Sequence, residues 1–277
     1  MKIAVLSGKG GAGKTFIAVN LAQISNDALY VDADVEEPNG YLYFQPTIRK
    51  QINVSISVPR IDEELCNLCR RCVDFCRFNA LAFVQKKIIY ISDFCHSCGG
   101  CRLVCPQNAI VEKARVIGRI DIGYAGTIDF ISGYLNPESI SGVPIIQKII
   151  SQIPKKKFVI LDCAPGSGCT VVETVKAADY CIIVGEESAF GCHDFRIACN
   201  LANTMNKPYG AIINKSGKES GPVNAYCNLN KIKILGKIPY NYELGTLLSQ
   251  GRIAAKEKEE YYKIFTRIYK QLKKDYS

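Results

Sequence analysis

The stretch that decides the fold is Gly8-Lys9-Gly10-Gly11-Ala12-Gly13-Lys14-Thr15, between the apolar run 2–7 (KIAVLS) and the segment 14–25 (KTFIAVNLAQIS). It fits the pattern G-x-x-x-x-G-K-[ST]. Glycines let successive backbone N–H groups turn inward around phosphate oxygens. A helix starting at the end of the loop points its positive end at the same anion. In this arrangement Lys14 contacts the β- and γ-phosphates and the Thr15 hydroxyl binds Mg²⁺. Gly8 to Phe16 are therefore the expected nucleotide contacts: Gly8, Lys9, Gly10, Gly11, Ala12, Gly13, Lys14, Thr15 and Phe16.

Working outward, residues 28–32 (ALYVD) read as a second buried strand after the 14–25 helix. That order opens a parallel α/β sheet. Further buried strands are expected at 156–162, 180–185, 209–214 and 232–239, and an edge strand in GRIDIGYAG (118–126). Helices are expected at 141–153 and near 171–178, 192–204 and 244–255, with a long one at 256–274. The fold class is thus α/β: a P-loop NTPase with a mostly parallel sheet flanked by helices, plus a small inserted α+β module.

The insert is visible in its cysteines. Cys66, Cys69, Cys72 and Cys76 repeat in spacing as Cys95, Cys98, Cys101 and Cys105, each group C-x₂-C-x₂-C-x₃-C. This is the pattern of two-cluster bacterial ferredoxins, in which each group's fourth cysteine ligates the other cluster. One [4Fe–4S] cluster is expected on Cys66, Cys69, Cys72 and Cys105, the second on Cys95, Cys98, Cys101 and Cys76. Two zinc sites would need only paired C-x₂-C units and would leave half of these cysteines surplus. The segment between the groups, LAFVQKKIIYIS, alternates as a hairpin with strands at 81–84 and 88–91. The domains are therefore expected to be 1–59 with 114–277, and an inserted ferredoxin-like domain at 60–113. Pro106 follows the fourth cysteine of the second group, but Arg77 stands in the first, where its charge would raise the potential of the second cluster. Cysteines 163, 169, 181, 192, 199 and 227 contain no C-x₂-C and read mainly as small buried hydrophobes.

The second lysine of SGKGGAGKT, Lys9, resembles the deviant Walker A motif of the MinD/ParA/Mrp ATPases, to which nitrogenase iron protein is related. The resemblance extends over nearly the whole chain, to superfamily members with an inserted ferredoxin domain. It implies a dimer, with itself or with a related chain, in which Lys9 reaches the partner's phosphates. It also implies that Asp34, in Tyr30-Val31-Asp32-Ala33-Asp34, orients or deprotonates the attacking water, with Asp32 near Mg²⁺. Asp162, in Leu161-Asp162-Cys163-Ala164-Pro165-Gly166, would hold Mg²⁺ through water, and Gly166 would sense the γ-phosphate. Asn214, before Lys215, falls at the base-recognition position. The catalytic set is then Lys9, Lys14, Asp34 and Asp162, in a slow, partner-stimulated ATPase. His193 lies in a matching segment, 185–198, and reads as structural. Cys163 and Cys169 flank the Gly166 segment.

Of the 277 residues, 48% are hydrophobic and 22% charged, the composition of a chain with a sizeable core. The formal charge is +9, and two clusters would lower it to about +5. The charge is spread through the chain, so no nucleic-acid partner is expected. The chain opens directly on a strand and has no apolar run of about 18 residues, so a cytoplasmic protein is expected. Three roles remain: nucleotide-gated electron transfer to a redox or cofactor-assembly partner, or support of metal-cofactor maturation; an iron–sulfur carrier or scaffold; and a positioning ATPase with redox-sensing clusters. The last turns on the C-terminal helix, where Tyr261, Phe265, Ile268, Leu272 and Tyr276 share a face that could lie on a membrane or, more commonly, pack on its own sheet.

Overall fold

The computed structural model describes residues 1–155, 157–217 and 220–275. Lys156, at the start of an expected strand, and Tyr276, at the end of the expected apolar face, lie outside the described residues. The chain runs β1 (Lys2–Leu6), α1 (Lys14–Ser25), β2 (Ala28–Ala33), α2 (Gly40–Phe44), β3 (Thr47–Ile61), α3 (Arg71–Phe75), β4 (Leu81–Val84), β5 (Lys87–Tyr90), α4 (Gly100–Leu103), β6 (Ile110–Ala125), β7 (Ile128–Leu135) and α5 (Val143–Gln152). It continues with β8 (Phe158–Cys163), α6 (Cys169–Ala177), β9 (Tyr180–Glu186), α7 (Ala189–Thr204), β10 (Tyr209–Ser216), α8 (Pro222–Leu229), β11 (Ile234–Pro239), α9 (Tyr242–Ser249), α10 (Ala254–Glu257) and α11 (Glu259–Asp275).

Nine strands form one sheet in the order β11-β10-β9-β1-β8-β2-β7-β6-β3. All neighbours from β11 to β7 pair in parallel; β6 is antiparallel to both β7 and β3. The central strands are apolar on both faces because both are covered. On β1, Ile3 and Val5 point into one core with α1, α10 and α11. Ala4 and Leu6 point into the other, with α5, α6, α7 and α8. The two-residue period of a strand thus assigns each side chain to a layer.

The apolar face of α11 packs on its own sheet: Tyr261, Phe265, Ile268 and Leu272 are each at most 1% exposed. Phe16 meets the Phe265 ring edge-on at 5.5 Å and the Tyr261 ring at 6.4 Å. That packing removes the described part of this face from any membrane-surface role. Among the described residues no helix is long and apolar enough to cross a membrane.

Two sequence expectations change. Residues 118–126 are not an edge strand: 118–125 belong to the 16-residue β6, an interior strand, Gly126 turns into β7, and the edge is β3. β3 (TIRKQINVSISVPRI) escapes notice because its charged and polar residues on exposed positions interrupt any apolar run. The stretch 244–255 is not one helix but α9 and α10, broken at Gly251, whose φ is +68°. α2, β7 and α8 were not anticipated at all.

β3 and β6 form a ribbon paired from Thr47↔Tyr124 to Ile61↔Ile110, and the cysteine-bearing segment sits beyond its end. Within that segment β4 and β5 make a separate two-stranded sheet in the expected place. The ribbon grows directly out of the main sheet.

Phe265→Ala should lower the unfolding free energy by about 3–5 kcal/mol, because it removes a fully buried ring under the nucleotide-loop helix. Guanidinium unfolding followed by circular dichroism would measure the loss.

Candidate functional site

The glycine loop leaves β1 at the C-terminal edge of the parallel strands, where open α/β sheets place ligands. Its backbone is left-handed at Gly11 (φ +77°) and Gly13 (φ +99°). A Cβ on Gly13 would stand 2.2 Å from Asn214 Nδ2, and one on Gly8 2.1 Å from the Asp194 carbonyl oxygen. These two glycines are therefore required by close packing. Gly10 and Gly11 face open space, which leaves room for a phosphate chain.

Polar contacts hold the loop in shape. The Ser7 hydroxyl donates to the Lys9 carbonyl (2.6 Å), and Lys14, a residue only 7% exposed, donates from Nζ to Ser7 Oγ (3.1 Å). The Gly166 N–H donates to the Ser7 carbonyl (3.0 Å), which ties the segment after β8 to the loop. Asn214 Nδ2 donates to the Ala12 carbonyl (2.9 Å), so this buried amide braces the loop. Glu186 lies 3.7 Å from Lys9 Nζ and 3.5 Å from Lys215 Nζ, and Lys215 also donates to the Gly11 carbonyl.

The acidic groups gather beside this loop. Asp162, the penultimate residue of β8, is the register partner of Asp32 on β2; both are 1% exposed. Tyr30 Oη donates to Asp162 Oδ2 (2.8 Å), whereas Asp162 Oδ1 is buried without a hydrogen-bond partner. Burial pushes the Asp162 carboxyl up to about 6 against the opposing pull of the nearby Thr15 hydroxyl, Tyr30 and Lys14. The orphaned oxygen beside Thr15 suits a hard divalent cation, so Thr15 and Asp162 fit Mg²⁺. Asp32 accepts from the Gly40 N–H (2.7 Å) and the Asp34 N–H (3.2 Å), so both its oxygens organise the turn after β2. Burial, then the neighbouring Asp162, pushes its pKa well above the usual carboxylate range. Asp34 is half-buried, accepts from the Glu37 N–H (3.4 Å), and is shifted upward mainly by burial. His193 is exposed.

The cysteines gather around two cavities. Cys76, Cys95, Cys98 and Cys101 line one, with Phe78, Leu81 and Glu112. Cys66, Cys69, Cys72 and Cys105 line the other, with Ile61, Ile88 and Ile110. Each fourth cysteine thus sits with the opposite group of three. The Ala80 N–H donates to Cys76 Sγ and the Ala109 N–H to Cys105 Sγ, both at 3.3 Å. Left-handed residues at Leu68, Arg70 and Asn79 recur 29 positions later at Ser97, Gly99 and Asn108, so the sequence repeat is also a backbone repeat. Burial pushes the Cys72 thiol up to about 11 and raises Cys101. Such thiols ionise readily only when a metal takes the thiolate. Four soft ligands around each cavity fit an iron–sulfur cubane.

Cys163, Cys181, Cys199 and Cys227 are buried, with pKa values raised by burial, whereas Cys169 is exposed at the first position of α6. Sequence reasoning missed Ser7, Tyr30 and Glu186. Tyr30 carries no signal of its own, because it reads as one more apolar residue of β2.

Fold and loop together define a MinD/ParA-like P-loop ATPase. The chain belongs to the CobQ/CobB/MinD/ParA nucleotide-binding family, whose domain matches residues 3–254. The septum site-determining protein MinD of Pyrococcus horikoshii, solved with Mg-ADP, superposes with a TM-score of 0.60 at 16% identity, covering 98% of this chain and 95% of that one. An iron–sulfur cluster carrier protein of Pyrococcus horikoshii is 27% identical over 85% of this chain and 67% of its own length. An uncharacterised ferredoxin of Methanocaldococcus jannaschii is 37% identical over 19% of this chain and 74% of its own length.

Because the folded Asp162 pKa lies above the usual carboxylate range, ionising it costs folded-state stability, progressively from about pH 4 to about 6. Asp162→Asn should therefore raise the melting temperature of the nucleotide-free protein at pH 7 and weaken Mg²⁺-dependent ATP binding at least tenfold. In the unsubstituted protein that binding should weaken as pH falls through about 6. Scanning calorimetry and titration calorimetry check the two halves.

Proposed function

We propose that this protein is an ATP-hydrolysing iron–sulfur protein in which nucleotide state gates electron transfer, or serves metal-cofactor maturation through it. The observation that carries this is the pair of four-cysteine cavities on a ribbon continuous with the nucleotide-binding sheet. The local match to a ferredoxin supports reading residues 60–113 as a ferredoxin-like insert in an ATPase domain formed by 1–59 and 114–277.

Lys14 and the loop amides bind the phosphates of ATP, and Lys9 acts across a dimer on the partner's nucleotide, adding positive charge as the γ-phosphate leaves. For that, Lys9 must leave Glu186. Asp34 positions the attacking water and takes its proton. Thr15 and Asp162 hold Mg²⁺, which neutralises phosphate charge, and Gly166 reports the γ-phosphate to the segment after β8. Asn214, which braces the loop, recognises the base. The partner subunit is a second copy or a related chain. The two clusters supply one-electron chemistry.

A mechanical link supports gating. Val35 follows Asp34; its carbonyl accepts from the Leu135 N–H (2.8 Å), and its side chain is packed so tightly on Gly142 that a Cβ there would stand 2.4 Å from Val35 Cγ2. Gly142 precedes α5, which packs on β3 and β6. Displacement of Asp34 by nucleotide therefore bears on the base of the ribbon.

A carrier role is the second reading, favoured by the name of the Pyrococcus relative. Against it, each cavity has four cysteine ligands, a closed set that resists release.

Redox titration followed by EPR should give different cluster potentials with ADP and with a non-hydrolysable ATP analogue; identical titrations overturn gating. The pairing of cysteines has its own check in iron content. Cys76→Ser with Cys98→Ser should retain about half the iron, whereas Cys76→Ser with Cys69→Ser should lose nearly all of it.

A further inference from the structure

The two cavities are repeats of each other, so differences between them stand out against a common frame. The one holding Cys76, Cys95, Cys98 and Cys101 is also lined by Ser57, Pro59 and Glu112, along the ribbon. It is the body-side cavity. The other is lined by Ile61 and Ile110, the last pair of the ribbon, and is the tip-side cavity.

Two buried hydroxyls that lack a well-formed hydrogen bond occur beside the body-side cysteines: Tyr90 Oη, which faces the Cys95 thiol, and Ser97 Oγ. Ser97 lines the cavity between Cys95 and Cys98, with a left-handed backbone (φ +55°). Tyr90 ends β5, pairs with Leu81 and lies beside Cys95 and Cys101. In the repeat, Leu81↔Tyr90 corresponds to Ile110↔Ile61, so the tip-side equivalents of Tyr90 and Ser97 are Ile61 and Leu68. Neither can donate a hydrogen bond. The tip-side cavity does have Asn67 and Gln107, but both are exposed to water. Nearby arginines do not separate the sites, since Arg71 lines one cavity and Arg77 the other.

A buried hydroxyl left without a partner costs about 1–3 kcal/mol, so native proteins keep few of them. Two at one cavity, next to thiol ligands, point to acceptors supplied by what the cavity holds. Resting on the cluster reading above, we propose that Tyr90 and Ser97 donate hydrogen bonds to sulfurs of the body-side cluster and set its potential above that of the tip-side cluster. Reduction adds negative charge to cluster and thiolate sulfurs, and an O–H donor stabilises that added charge. A single electron entering the insert therefore rests on the body side, next to the ribbon base on which α5 packs. Tyr90 and Ser97 are positioning residues for that electron; neither is a ligand.

The test uses the full-length protein, purified anaerobically with eight irons and reduced stepwise with dithionite under EPR. Tyr90→Phe removes one hydroxyl and keeps the ring; Ser97→Gly removes the other and suits the left-handed backbone. Each should lower the higher of the two midpoint potentials by about 59 mV, a tenfold change in a one-electron equilibrium, and leave the lower one in place. If one variant fails to load iron, the other carries the test alone. A fall in the lower potential, or unchanged potentials in variants with full iron, overturns this proposal and leaves the cluster reading standing. An unsubstituted protein that takes up no cubane iron overturns both.

Discussion

Two carboxylates, Asp32 and Asp162, lie side by side at the ends of adjacent parallel strands, both almost out of reach of water. Burial disfavours their charged forms, and each worsens the environment of the other. Much of the surrounding structure answers that constraint. Tyr30 donates to one oxygen of Asp162, two backbone N–H groups satisfy Asp32, and Lys14 adds nearby positive charge. One oxygen remains unanswered, on Asp162, beside the threonine that follows the loop lysine. A site so arranged favours a divalent cation and an anionic nucleotide together over either alone.

Two segments lead away from these carboxylates. Asp34 and Val35 follow directly from Asp32, and Gly166 lies four residues beyond Asp162 while holding the Ser7 carbonyl. Val35, wedged against Gly142, joins the first of these to the start of α5. The ribbon of β3 and β6 runs as a hydrogen-bonded pair from the sheet to the cysteine cavities. This placement distinguishes the protein from a chain in which two modules are merely tethered by a linker.

Much of this was legible in the residues. The loop Gly8–Thr15 announces itself because phosphate binding demands glycine at fixed offsets, and α1 follows it as expected, from Lys14 to Ser25. The five central strands β1, β2, β8, β9 and β10 were legible because double-sided burial writes continuous apolar runs. β3 was not, because an edge strand keeps one face and one rim in water and so carries Arg49, Lys50, Gln51 and Arg60 without penalty. Its partner β6 was misplaced as an edge for the same reason: half of the ribbon went unseen. Tyr30, Ser7 and Glu186 were invisible because each acts through a partner distant in sequence or through a backbone group.

By itself, the sequence determined the parts whose chemistry is local: the phosphate loop, the two cysteine groups with their 29-residue repeat, and the strands buried on both faces. Spacing along a chain is enough when neighbouring residues supply all the ligands. Only the tertiary structure decided that Asp32 and Asp162 are neighbours, and that Tyr90 and Ser97 bring hydroxyls to one cavity and none to the other. Those facts depend on register between strands and on the crossing of a repeat. Both are settled by burying one common core, which no single stretch of sequence encodes.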